Sequence, residues 1–223
     1  MTASRDPQGL SLSVTLQATY RYLFHEPAAL AAADAANRPV VFFFHGKGER
    51  GDDLRALERH GLPKLIATGR EFPFLVISPQ CPETDYWSEA PGLPEFVAAA
   101  AAHHRADPTR IYLTGLSMGG FGVWSLAHRH PARYAAILPI CGGGEKRWAP
   151  RLRDVPAWVF HGAKDPVVPV ARSLEMVEAI RAAGGTPRCT IYPEAAHDSW
   201  TETYENEEIY SWLLAQKTTA GRR

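Results

Sequence analysis

Val40-Val41-Phe42-Phe43-Phe44 is apolar at every position, with Asn37-Arg38-Pro39 before it and His45-Gly46-Lys47-Gly48 after it. A run this short and uniform fits a strand buried on both faces, because a half-exposed strand would alternate. Phe74-Leu75-Val76-Ile77, Arg110 to Leu113, Ala135 to Ile140, Ala157 to Phe160 and Cys189 to Tyr192 read as further strands. Alternation appears only near the start, from Leu10 to Phe24 (Leu12, Val14, Leu16, then Tyr20, Tyr22, Phe24), and predicts an antiparallel entry to a sheet. Helical spacing fills the intervals: Leu54 to Ala67, Leu93 to Arg105, Met118 to about His130, about Val170 to Ala183, and Thr203 to Gln216. The alanine-rich stretch from Pro27 to Asn37 reads as an exposed connection rather than a helical turn. Residues 1–9 and 217–223 are small and polar and are expected to be flexible.

Strands alternating with helices predict an α/β fold: one domain over 1–223, with a mostly parallel central sheet and helices on both faces. In such sheets function gathers beyond the carboxyl ends of the strands. The bulk properties narrow the partners. Lys plus Arg and Asp plus Glu are both 24, so no net field attracts nucleic acid or an anionic membrane. No stretch approaches the ~20 apolar residues of a membrane span, and the first residues lack a signal-peptide core. A cytoplasmic location is the expectation, with secretion after removal of a signal the alternative. Cys81, Cys141 and Cys189 are too few and too scattered for a disulfide scaffold, although Cys81 and Cys141 both follow strands and a bridge between them stays open.

The chemistry concentrates at strand ends. Thr114-Gly115-Leu116-Ser117-Met118-Gly119-Gly120 joins a strand to a helix. A serine between two such glycines suits a sharp turn that exposes its hydroxyl. That hydroxyl is a weak nucleophile and needs a base, which needs an orienting acid. Asp165 follows the strand ending at Phe160 and His197 follows the strand ending at Tyr192, so the chain order is Ser117, Asp165, His197. Alone, Asp165 is equally a turn or capping residue and His197 a loop histidine; the shared position after strands favours the catalytic assignment. Asp198 competes as the acid, but an immediate neighbour points away from His197 and is expected to bond local backbone. An oxyanion hole would come from the backbone N–H of Lys47, in the glycine-rich loop after Phe44, and of Met118. That loop lacks the Gly-Lys-[Ser/Thr] ending of a phosphate-binding loop. The remaining histidines, His45 and His161 among them, are read as structural. No metal site and no cofactor is expected.

These motifs carry a resemblance. Phe44 to Asp53, Ser78-Pro79-Gln80-Cys81-Pro82 with Trp87, Gly115 to Gly122, Cys141 to Gly144, Phe160 to Pro169 and Ala196 to Trp200 together span about Leu10 to Gln216. They resemble single-domain α/β-hydrolases of the carboxylesterase type, the "predicted peptidase" group related to feruloyl and polyhydroxybutyrate-depolymerase-like esterases. The resemblance implies Ser117 as nucleophile, His197 as base, Asp165 as its partner and an oxyanion loop at Lys47, where such families often carry a small or apolar residue. It implies a small-molecule ester as substrate; an aminopeptidase-like activity, a feruloyl or aryl esterase, and a non-catalytic binding module are the alternatives. Only a short polar run separates Ile140 from Pro156, too little for a cap domain, so an open site is expected. Trp87, Trp148 and Trp200 lie in loops near Ser117 and are candidate substrate contacts. The sequence leaves the oligomeric state undetermined.

Overall fold

The structure is a computed structural model and describes residues 18–31 and 38–218. Seven strands form one sheet in the order β1-β3-β2-β4-β5-β6-β7. They are β1 (Tyr22–His25), β2 (Val40–Phe44), β3 (Leu75–Pro79), β4 (Ile111–Leu116), β5 (Ala136–Ile140), β6 (Trp158–Gly162) and β7 (Arg188–Tyr192). β1 runs antiparallel to β3 and every other pairing is parallel. The expected antiparallel entry is thus present at Tyr22–His25, while Leu12, Val14 and Leu16 fall outside the described residues.

β2 shows why its sequence is uniformly apolar. Val40, Phe42 and Phe44 enter one core with Val97, Ala101, Trp124, Met176 and Ile180. Val41 and Phe43 enter the other with Leu62, Tyr204, Tyr210 and Leu213. All five are buried, and each phenylalanine contributes about 2 kcal/mol relative to an exposed one. The first core is covered by α3 (Leu93–His103), α4 (Met118–Arg129) and α6 (Ala171–Ala182). The second is covered by α2 (Gly61–Ala67), α7 (Trp200–Glu205) and α8 (Glu207–Leu214).

Three expected elements differ. The helical stretch from Leu54 to Ala67 is a 3-10 segment, Leu54–Arg59, followed by α2. The break is at Gly61, where φ is +62° and an added Cβ would lie 2.2 Å from the Phe43 ring. The stretch from Thr203 to Gln216 is likewise two helices, because Asn206 turns extended and caps α8, its side chain accepting from the Glu208 N–H at 2.9 Å. Within Pro27 to Asn37, Ala28–Ala31 (α1) forms the helical turn that the sequence reading set aside, and 32–37 are outside the described residues. At the other end, residues 1–17 and 219–223 are also outside them, and the Thr218 N–H donates to the Thr109 carbonyl at 2.9 Å.

The connection from β5 to β6 holds one 3-10 turn, Lys146–Trp148, and the single-turn α5 (Ala149–Leu152), so no cap covers the sheet there. Cys81 and Cys141 are both free thiols, which closes the question of a bridge between them. Among the described residues no helix is long and apolar enough to cross a membrane.

Candidate active site

The chain runs outward in one direction from β2 to β3 and in the other from β4 onward, so the strand order reverses between β2 and β4. A crevice opens beyond the carboxyl ends of strands at such a point. The loop after β2 carries Lys47 and the turn after β4 carries Ser117. The reversal therefore brings together two candidate parts that lie far apart in sequence.

Ser117 sits at φ 52°, ψ −116°, between β4 and α4. This backbone is unusual for a residue with a side chain and stores strain. The glycines around it permit close approach. A Cβ on Gly119 would lie 1.9 Å from the Phe44 carbonyl oxygen, and one on Gly115 2.7 Å from the Gly119 backbone. The Ser117 N–H is anchored to the Ile140 carbonyl at 3.0 Å and lies 3.3 Å from Cys141 Sγ. With its N–H tied inward, the turn presents Oγ outward, where the side chain is half-buried.

His197 Nε2 lies 3.0 Å from Ser117 Oγ, and His197 Nδ1 lies 2.7 Å from Asp165 Oδ2. A carboxylate only accepts, so Nδ1 carries the ring hydrogen and Nε2 turns a lone pair to the serine hydroxyl. Asp165 is held from the other side as well. Its Oδ1 accepts the N–H groups of Val167 at 2.8 Å and Val168 at 2.9 Å. Burial acts to raise its pKa, but the hydrogen bonds from His197, Val168 and Val167 outweigh it and hold the carboxyl below its ordinary range. The loops bearing the acid and the imidazole are joined by their backbones: Ala163 N–H donates to Tyr192 at 2.9 Å and Lys164 N–H to Ala195 at 3.0 Å.

The loop after β2 is fixed by side chains that the sequence reading noticed without explaining. The Cys81 N–H donates to His45 Nε2 at 2.9 Å, and His45 Nδ1–H donates to the Gly46 carbonyl at 2.6 Å. The Gln80 amide donates to the Glu49 and Asp53 carbonyls at 3.0 and 2.8 Å. The Ser78 to Pro82 motif is thus the brace of the Lys47 loop. Lys47 opens the 3-10 turn Lys47–Glu49 and Met118 opens α4, first positions whose N–H groups a helix leaves without an internal partner.

The three tryptophans part company. Trp87 is not a substrate contact: it is 1% exposed, and its Nε1–H donates to the His45 carbonyl at 3.0 Å from beneath the loop. Its indole serves as a bolt because burial leaves no face for a ligand. Trp148 stacks on His128 and walls a separate cleft of about 430 Å³ along α4, lined also by Phe121 and Arg172 but not by the triad. Trp200 reaches the site, its ring edge-on to His197 at 5.2 Å between centroids. Asp198 behaves as expected of a local residue, accepting from the Thr201 N–H at 3.0 Å and hydroxyl at 2.9 Å.

His161, read from sequence as shaping a turn, touches the triad: its Nε2 lies 3.1 Å from Asp165 Oδ2. The one signal in the sequence is the four-residue spacing to Asp165 within the same turn. Side-chain atoms of Cys141, Asp165 and His197 lie within 4.8 Å of one another, a grouping that resembles a metal ligand set. Asp165 and His197 are already bonded to each other, and burial pushes the Cys141 thiol up to about 12, so its sulfur stays protonated and a poor ligand.

The sequence profile of the dienelactone hydrolase family matches residues 89–212, more than half of the chain. The chain belongs to that family. Membership accords with the α/β-hydrolase fold of the seven-stranded sheet. A crystal structure described as a thermostable esterase is 34% identical and superimposes with a TM-score of 0.74, covering 88% of this chain and 58% of that one. A Methylorubrum extorquens protein provisionally named a carboxymethylenebutenolidase is 34% identical over 110 residues, 45% of this chain and 38% of its own length. A rice (Oryza sativa subsp. japonica) protein provisionally named a carboxylesterase is 26% identical over 215 residues, 83% of this chain and 79% of its own. The chain therefore spans little more than a third of the first of these curated relatives and most of the second.

Proposed function

We propose that this chain hydrolyses short-chain carboxylic esters through an acyl-enzyme on Ser117. The observation that carries the reading is the unbroken line from Ser117 Oγ to His197 Nε2 at 3.0 Å and from His197 Nδ1 to Asp165 Oδ2 at 2.7 Å. His197 takes the hydroxyl proton as Oγ attacks the ester carbonyl, and Asp165 stabilises the imidazolium that results. The oxyanion is received by the Lys47 and Met118 N–H groups, the second lying at the positive end of α4. His197 then gives its proton to the leaving alcohol. It next deprotonates a water that attacks the acyl carbonyl, and the acid departs as Ser117 recovers its hydrogen.

The 34%-identical structure described as an esterase and the rice protein provisionally named a carboxylesterase support an ester over an amide. Trp200 is the one tryptophan retained as a substrate contact, through the ring edge beside the base, since it is otherwise buried at 8% exposure. Ser117→Ala is expected to lower hydrolysis of p-nitrophenyl butyrate by at least about a thousandfold and to abolish labelling by a fluorophosphonate probe, with the circular dichroism spectrum unchanged. Substantial activity in that variant would remove Ser117 from the mechanism. Faster turnover of aminoacyl-p-nitroanilides than of esters by the unmodified enzyme would replace the esterase reading with a peptidase.

A further inference from the structure

We propose that His161 is a positioning residue of the triad, a second imidazole that shares Asp165 Oδ2 with His197 and tunes how strongly the carboxylate holds the base. The proposal rests on the esterase reading of the site. His161 is fully buried at the end of β6. Its Nε2 lies 2.9 Å from the Val168 carbonyl and 3.1 Å from Asp165 Oδ2. Both of those atoms only accept, so Nε2 carries a hydrogen.

The other nitrogen is fixed from α6. Nδ1 lies 2.7 Å from Ser173 Oγ, which itself lies 3.0 Å from the Gly142 carbonyl. Ser173 has one hydrogen. Donated to Nδ1, it leaves the ring neutral; donated to Gly142, it requires a second ring hydrogen and a cation. In both arrangements Nε2–H faces the triad acid. The chain Gly142, Ser173, His161, Asp165 therefore ties the loop after β5 and the first turn of α6 to the carboxylate.

Asp165 then has every direction occupied: two backbone N–H groups on Oδ1 and two imidazoles on Oδ2. When His197 becomes an imidazolium, its Nδ1–H draws harder on Oδ2, and the hold of His161 on the same atom loosens. Two donors on one oxygen are coupled with opposite sign. Of the other ionisable groups, Cys141 lies within 4.8 Å of Asp165 and His197, and Asp198 accepts from the Thr201 N–H and hydroxyl. Cys141 stays a thiol, Arg172 turns to the Gly144 carbonyl and the Phe121 ring, and Lys164 pairs with Glu194 at the surface.

The decisive measurement is made on the wild-type protein labelled with 15N-histidine, with the His161 Nε2–H signal assigned by its loss in His161→Gln. A boronic acid that forms a tetrahedral adduct on Ser117 protonates His197. The His197 Nδ1–H signal should then move downfield and the His161 signal upfield. A His161 signal that stays in place while that of His197 moves overturns the proposal. Failure of any adduct to form overturns the esterase reading with it.

Kinetics give a second test. His161→Gln keeps a donor near Nε2 and should hold kcat within about threefold. His161→Leu removes it and should lower kcat about tenfold with KM unchanged. It should also move the acid limb of kcat/KM to higher pH, since Oδ2 then pulls on the base undivided. A folded His161→Leu enzyme with wild-type kcat and pH profile would equally refute the role. If that variant does not fold, the wild-type resonances decide.

Discussion

His45 shows how a single residue can carry a pH dependence without taking part in the chemistry. Burial lowers its pKa from 6.5 to about 4, against a smaller opposing effect from its bond to Gly46. Its two bonds, accepting at Nε2 and donating at Nδ1, are met only by the neutral ring. Between about 4 and 6.5 the unfolded chain binds a proton that the folded one refuses. The stability involved is therefore fully present above pH 6.5 and is lost as pH falls toward 4. The shift corresponds to about 3 kcal/mol. Urea unfolding of the wild type should show a marked fall in stability from pH 7.5 to 4.5, and His45→Gln should show a smaller one. Equal slopes would clear His45 as the source. At this scale the sequence disclosed residue type and position after a strand, enough to single out Ser117, Asp165 and His197. It did not disclose contacts made by chain folding back on itself. Trp87 beneath the Lys47 loop depends on which loops meet and carries no local mark, whereas His161 meets Asp165 four residues on, within a single turn whose geometry residue type alone does not give.

Elements were legible where burial on one side is continuous and illegible where it continues across a break. The apolar spacing from Thr203 to Gln216 reads as one helix because Tyr204 in α7 and Ile209, Tyr210 and Leu213 in α8 pack into the same core. The interruption at Asn206 is a capping event, and its signal is a single asparagine followed by two glutamates. Removing the cap leaves the Glu208 N–H without its partner. Asn206→Ala should cost about 1 kcal/mol and lower Tm by about 2–4 °C, with p-nitrophenyl butyrate hydrolysis unchanged, by thermal denaturation and assay on the same sample. An unaltered Tm would mean that packing, including Tyr210 on Phe72 and Phe74 and Trp212 on Trp158, holds α8 without the cap. Gly61 is the parallel case in the segment before β3, where the Phe43 ring occupies the space of a side chain.

On the scale of the whole molecule, the strands were visible in sequence but their spatial order was not. Nothing local says that β2 lies between β3 and β4, yet that order sets the end of β2 against the turn after β4, where a Cβ on Gly119 would meet the Phe44 carbonyl. What the chain does make plain is the brevity of the β5–β6 connection, now seen as two short turns. With no cap in that connection to open at a lipid surface, the rate should follow the concentration of dissolved ester and show no jump when tributyrin passes its solubility limit. Specificity constants should fall from p-nitrophenyl butyrate to the palmitate ester. A higher constant for the palmitate, or a jump at the interface, would overturn the short-chain expectation.

The backbone at Ser117 has a consequence for how such a sequence drifts. A residue with a side chain at φ 52°, ψ −116° raises the energy of the folded state by about 1–3 kcal/mol. Glycine would relieve most of that cost and, on the proposed mechanism, remove the nucleophile. Mutation toward greater stability at this position therefore runs toward silence, and only a continuing demand for turnover opposes it.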